Sequence, residues 1–159
     1  MANEVVSILI KVAVVAGIVL GGFWLFKNST RATVQDDKSM DPVTFPEGGY
    51  GVNTHIDRIS QLKSGDVVAY HPPKNSAETR VARVIGVEGN RVEVTPDAVL
   101  VNGTPFPSKF LTAKWTIPET RVPRGCVYVL ADNPFSGVDS KQFGPLPFSF
   151  VIGTVKPVK

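Results

Sequence analysis

The chain has 159 residues and a mass of 17.1 kDa, a length that suits one domain with at most an appendage. Apolar residues make up 43% and charged residues 19%, which excludes a disordered chain or an acidic tail. The net charge of +3 comes without a run of like charges, Cys126 is the single cysteine, and His55 and His71 have no Cys-x-x-Cys beside them. Nucleic acid is therefore not an expected partner, and no disulfide framework, metal site or cofactor is expected.

Residues Val5 to Phe26 read VVSILIKVAVVAGIVLGGFWLF, with Lys11 as their only charge. At 1.5 Å per residue such a helix spans about 33 Å, the thickness of a bilayer core. Lys11 can snorkel to one interface, and Phe23 and Trp24 suit the opposite one. The segment ends Phe-Trp-Leu-Phe-Lys, without a small-x-small cleavage site, so the pattern predicts an uncleaved anchor over residues 1–27. Lys27, Arg31 and Lys38 follow the span and only Lys11 lies near its start, so charge gives no support for a short cytoplasmic N-terminus. Residues 28–38 are polar and read as a linker.

From residue 39 to 159 the pattern is β. Strand-like runs are Asp66–His71, Thr79–Val87, Arg91–Thr95, Val99–Phe106, Cys126–Leu130 and Phe148–Val155, each rich in β-branched residues with period-two alternation. Asn102-Gly103 is a strong hairpin signal and Glu88-Gly89-Asn90 a turn signal. Pro72 to Ser76 is a surface loop. With 13 prolines and 14 glycines and no helical periodicity after Phe26, the expected body is mostly antiparallel β. Phe106, Phe110, Trp115 and the aromatics from Phe143 to Phe150 are expected mainly in its core, some of them at an apolar surface.

Four blocks occur in order: Ser39-Met40-Asp41-Pro42 with Gly48-Gly49-Tyr50 after it; Gly65-Asp66-Val67-Val68; Val81-Ala82-Arg83-Val84-Ile85-Gly86 with Val101-Asn102-Gly103; and Asp132-Asn133 through Asp139-Ser140-Lys141. Together they resemble the type I signal peptidases, the S26 serine protease family. The resemblance implies a signal-peptidase-like, mostly antiparallel β fold beside a membrane and a Ser/Lys dyad. A serine hydroxyl needs a base, and a lysine serves only when burial lowers its pKa. The oxyanion then needs N–H and O–H donors.

Carried over residue by residue, the resemblance puts Ser39 at the nucleophile, with Met40 and Pro42 as matching binding neighbours. The lysine base belongs immediately before Arg83-Val84-Ile85-Gly86, and Ala82 stands there. Arg80 lies two residues back on the same strand face and does not deprotonate near neutral pH. Lys38 adjoins Ser39, and neighbours in extended chain point to opposite faces. Asp37 occupies an oxyanion-hole position, where a carboxylate would repel the developing charge. Gly137 occupies the position of the serine that orients the lysine amine. Asp132, Asp139 and Ser140 match, and the two aspartates suit loop-bracing acceptors; Gly86 and Gly89 suit close approach or positive φ.

The expected function is a membrane-anchored pseudoprotease, Ser39 vestigial, acting as a structural or assembly subunit of a larger membrane complex. Its expected partners are the lipid bilayer, other membrane subunits and signal-peptide segments. The alternatives are a signal peptidase with an unorthodox base, or such an enzyme inactivated by a Lys-to-Ala change at Ala82. The family implies a bacterial-type inner membrane, crossed once, with the β domain on the periplasmic side.

Overall fold

The computed structural model describes residues 38–40, 50–53, 56, 58–107, 115–133, 135 and 137–157. All of them lie in the compact unit Arg31–Lys159. The expected anchor from Val5 to Phe26 and the linker as far as Asp37 fall outside the described residues. Among the described residues no helix is long and apolar enough to cross a membrane.

The described strands are β1 (Tyr50–Asn53), β2 (Val67–Tyr70), β3 (Arg80–Gly86), β4 (Arg91–Val94), β5 (Val99–Val101), β6 (Thr104–Pro105), β7 (Ile117–Arg121), β8 (Cys126–Leu130), β9 (Leu146–Pro147) and β10 (Val151–Pro157). A one-turn helix α1 (Ser140–Phe143) interrupts them. One sheet runs β1-β10-β2-β3-β8-β9 and a second runs β6-β5-β4-β7. Every pairing in both is antiparallel.

Local sequence explains most of these elements. Asn102 (φ 52°) and Gly103 (φ 78°) both take left-handed backbone, the geometry of a tight hairpin turn, and they join β5 to β6. Gly86 ends β3 where an added Cβ would lie 2.6 Å from Cγ2 of Val92, so the crossing into the second sheet needs a bare backbone.

Three departures from the sequence expectation have physical causes. β2 is buried at every position and β8 at all but its first, because both faces of the large sheet are covered; period-two alternation is therefore lost there. β7 reads IPETR, with no alternation and a proline that only an edge strand tolerates, and it sits at the edge of the second sheet. Phe148–Phe150 is a 3-10 turn rather than the start of a strand, and β10 begins only at Val151.

The core has three parts. On one face of the large sheet Leu62, Val68, Tyr70, Ala82, Val84, Val127, Val129 and Leu146 cluster under Phe143, Phe148 and Phe150. Met40, Val52, Val67, Ala69, Val81 and Val155 form another cluster. Alternation along β2 and β3 puts Val68 with Ala82 on one side and Ala69 with Val81 on the other. A third cluster centres on Ile85, Val92, Val94, Tyr128 and Leu130, with Phe106 and Trp115 packed on it.

Candidate active site

The site forms where β8 stops. Its last residue, Leu130, pairs with Arg83, so among the described residues the edge of β3 from Val81 outward has no strand beside it on that side. The 3-10 turn Lys38–Met40 occupies that edge. Ser39 Oγ donates to the Val81 carbonyl at 2.7 Å, and the Asn133 amide donates to the Ser39 carbonyl at 2.8 Å. Met40 is 1% exposed and packs with Ala69 and Val81, which fixes the turn against the sheet. Because residues 38–40 form a turn, the expectation that Lys38 and Ser39 alternate as in extended chain does not apply.

Ser39 thus lies against the strand that carries Ala82. The Ala82 side chain is fully buried in the apolar cluster on one face of β3. Its cross-strand partner is Val68. Among the described residues Tyr70 is the one ionisable member of that cluster. Its hydroxyl donates to the Val138 carbonyl, and its ring meets Phe143 edge-on at 6.1 Å. Arg80, on the same face by alternation, is ion-paired with Glu78 at 2.6 Å.

Gly137 stands beside the serine. It adopts φ +123°, and an added Cβ would lie 2.8 Å from Cβ of Ala131 and 3.3 Å from Cβ of Ser39. Both the backbone and the space admit only glycine there. The structure therefore brings together Ser39, Gly137 and the strand of Ala82; Asp37 and Pro42 fall outside the described residues.

The matched acidic residues brace the loop around this turn. Asp132 makes a bidentate pair with Arg83, at 2.8 Å to Nε and 2.5 Å to Nη2, and Arg83 also donates to the Gly65 carbonyl at 2.9 Å. Asp139 caps α1, accepting from the amides of Lys141 and Ala131 at 2.9 Å each and from Lys141 Nζ at 2.6 Å. Ser140 Oγ accepts from the Val129 amide at 2.9 Å. All three residues are buried. Nearby, burial first and the Asp139 charge second push the Tyr128 phenol up to about 12. Burial, then Glu88, raises the Cys126 thiol, which favours its protonated, unreactive form.

Sequence reasoning missed a cavity of about 410 Å³ that Gly137 lines together with Trp115, Ile117, Phe135, Lys141 and Gln142. Trp115 reads as core in the sequence, and Phe135 and Gln142 lie in the fourth family block without an assigned role. Only the fold brings these residues together.

Comparison with known proteins places this geometry. A profile described as "Signal peptidase, peptidase S26" matches residues 3–158. The "Signal peptidase I" of Bacillus caldolyticus is 33% identical over 138 residues, covering 77% of this chain and 75% of that protein. The "Mitochondrial ATP-independent inner membrane protease subunit 1b" of Arabidopsis thaliana is 32% identical over 118 residues, 74% of this chain and 62% of that one. A signal peptidase I structure from Enterococcus faecalis superposes with a TM-score of 0.54 at 24% identity, covering 60% of this chain and 97% of the other, which supports the fold. The four blocks, the antiparallel sheets and the profile match agree: the chain belongs to the signal peptidase S26 family.

Proposed function

We propose that this chain is a membrane-anchored pseudoprotease of the S26 family. It binds rather than cuts, as a structural or assembly subunit of a larger membrane complex. The observation that carries the reading is the environment of Ala82. A methyl group accepts no proton, and the cluster around it is apolar except for Tyr70, whose hydroxyl is engaged by Val138. Gly137 adds weight, because the backbone there has no room for a lysine-orienting side chain. A single Lys-to-Ala change made to trap an enzyme would leave that second position untouched. Ser39, at 1% exposure, directs its hydroxyl to a carbonyl that cannot act as a base.

The names of the relatives favour a second reading. They are signal peptidases and a protease subunit, and this chain keeps the serine. On that reading a base outside the described residues serves Ser39, and the chain cleaves signal peptides.

The apolar span from Val5 to Phe26 supports a single-pass anchor, and the family supports an inner membrane with the β domain on its periplasmic side. Proteolysis of the 72–76 loop in intact spheroplasts tests the placement; protection until lysis would reverse the orientation.

Two measurements on the detergent-extracted full-length chain test the function. The expected result is stoichiometric co-purification with other membrane subunits and no cleavage of a small-x-small peptide. Turnover by a monomer, abolished in Ser39→Ala, would overturn the pseudoprotease reading in favour of the protease.

A further inference from the structure

We infer that Asn102 is a site of spontaneous covalent modification: its side-chain amide is displaced by the backbone nitrogen of Gly103, and aspartate and isoaspartate result. The inference stands apart from the role of Ser39.

The first condition is an unobstructed approach. Of the seven asparagines only Asn102 precedes glycine. Cyclisation brings the next residue's backbone nitrogen to the asparagine Cγ, and a Cβ on that residue hinders it. Asn102 and Gly103 are both exposed, and a Cβ built at Gly103 would meet nothing within 4 Å, so an imide ring and a water molecule both have room.

The hairpin turn supplies two further conditions. Among the described residues the Gly103 N–H makes no hydrogen bond, so the attacking nitrogen is free. Asn102 Oδ1 accepts from the Arg91 amide at 2.8 Å, and the Asn102 amide donates to the Arg91 carbonyl at 2.7 Å. Negative charge develops on Oδ1 as Cγ is attacked. The Arg91 N–H already points at that oxygen, as a donor does in an oxyanion hole.

Two other asparagines have the donor and lack the rest. Asn90 Oδ1 accepts from the Val87 amide at 2.9 Å, and Asn133 Oδ1 from the Phe135 amide at 3.0 Å. After Asn90 comes Arg91, whose nitrogen is committed to Asn102. After Asn133 comes Pro134, whose nitrogen carries no hydrogen to give up.

The reaction needs only water. The Gly103 nitrogen gives its proton to solvent and bonds to Cγ. The Cγ–Nδ2 bond breaks, and ammonia leaves with a proton from solvent. Water then opens the cyclic imide. Cleavage of the new bond gives aspartate, and cleavage of the original peptide bond gives isoaspartate; nothing is oxidised or reduced. Aspartate suits the left-handed turn and keeps the Arg91 contact, now charge-assisted. Isoaspartate routes the main chain through Cβ and Cγ and adds a carbon to a turn that sets the register of β5 on β6. β6 has two residues, both exposed, at the edge of its sheet. The added carbon therefore unseats β6 and loosens Phe106, which packs on the third core cluster and donates its amide to the Val99 carbonyl at 2.7 Å.

The test ages the folded, full-length chain in detergent at mildly alkaline pH, with peptide mass mapping and isoaspartate-specific carboxyl methylation as readouts. Asn102 should convert at least ~10-fold faster than the exposed Asn75 or than Asn90, a barrier lower by about 1.4 kcal/mol. Gly103→Ala should slow Asn102 to the rate of Asn75. Because φ there is +78°, circular dichroism must show the variant folded, and the comparison with Asn75 and Asn90 needs no variant. Asn102→Asp should melt like the fresh chain, while the aged chain should lose melting temperature in step with its isoaspartate content.

Equal rates at Asn102 and Asn75 in the folded chain would overturn the site. Conversion that Gly103→Ala leaves unslowed would overturn attack by the glycine nitrogen. Isoaspartate that accumulates without a change in melting would overturn the consequence for β6 and Phe106 and leave the modification site standing.

Discussion

Ala82 and Arg83 are consecutive residues of β3 and point to opposite sides of it, and they have fared differently. Arg83 keeps a bidentate pair with the buried Asp132 and a third bond to the Gly65 carbonyl. Ala82 presents a methyl group to an apolar cluster, at the position that the family resemblance assigns to a lysine. The same contrast recurs in the loop after β8. Asp139 retains three hydrogen bonds, while two residues earlier Gly137 has no side chain. On the proposed pseudoprotease reading the scaffold of the S26 fold and its chemistry are separable, with the ionic fastening intact beside a site without its base. Nor is the site a damaged one. Among the described residues no buried side-chain nitrogen or oxygen lacks a hydrogen-bond partner.

The contrast breaks most clearly at its stronger side. Asp132→Ala leaves the Arg83 guanidinium, whose side chain is only 17% exposed, without its carboxylate. The expected loss is about 3–5 kcal/mol, the usual result of removing one partner of a buried pair. Urea unfolding in detergent, followed by near-ultraviolet circular dichroism, reads it. A loss under ~1 kcal/mol would mean that the fastening is ornamental.

On the other side, Ala82→Lys puts an ammonium among Val68, Tyr70, Val84, Val127 and Leu146. Burial that lowers its pKa by about two units costs about 3 kcal/mol at neutral pH, before any crowding. No turnover of a signal-peptide substrate is expected from this variant. Measurable cleavage would mean that the pocket for the base is still present and that scaffold and chemistry are less separable than the surroundings of Ala82 imply.

Much of this architecture is legible in the amino-acid sequence alone. The family blocks predict the antiparallel body, Asn102-Gly103 marks its hairpin, and both bracing aspartates read as acceptors. What is not legible depends on tertiary context. β7 carries a proline and charges that read as loop, and only the edge of a sheet makes such a strand possible. The turn at residues 38–40 is held by the Asn133 amide, more than ninety residues later, which no local pattern reports. At Gly137 the resemblance expects a serine. The structure adds that a side chain cannot simply be put back, because Ala131 occupies its place.

Tyr128 sharpens the electrostatic half of the comparison. Its phenol is held at about 12 in the folded chain, chiefly by burial and then by Asp139, against about 10 when unfolded. Below pH 10 both states hold the proton and the contribution to stability is constant. Between pH 10 and 12 the unfolded chain releases its proton while the folded chain retains it, so stability falls as pH rises, by up to about 3 kcal/mol. Denaturant titrations across that window should show a shallower fall in Tyr128→Phe. An unchanged slope would remove Tyr128 from the alkaline transition.

Gly137→Ser is expected to cost about 1–3 kcal/mol, from a non-glycine residue at φ +123° and a 2.8 Å approach to Ala131. Ala131→Gly in the same chain should recover the steric part and leave the backbone strain. A double-mutant cycle separates the two. Adding Ala82→Lys and Asp37→Ser to Gly137→Ser, the minimum that the sequence suggests for restoring a dyad, is therefore expected to fail unless Ala131 changes as well.

The smallest expected effect belongs to the residue with the greatest chemical potential. Ser39→Ala removes a hydrogen bond of 2.7 Å to the Val81 carbonyl, and a loss near ~1 kcal/mol is expected. If the serine only ties the 38–40 turn to β3, that modest destabilisation is the whole phenotype, and association with partner subunits persists. If it is a nucleophile, stability changes by the same small amount while cleavage falls by orders of magnitude, since members of a catalytic unit fail together. Stability alone cannot tell these apart. The pairing of a melting curve with a cleavage assay on the same preparation does, because only a nucleophile moves the second measurement without a matching change in the first.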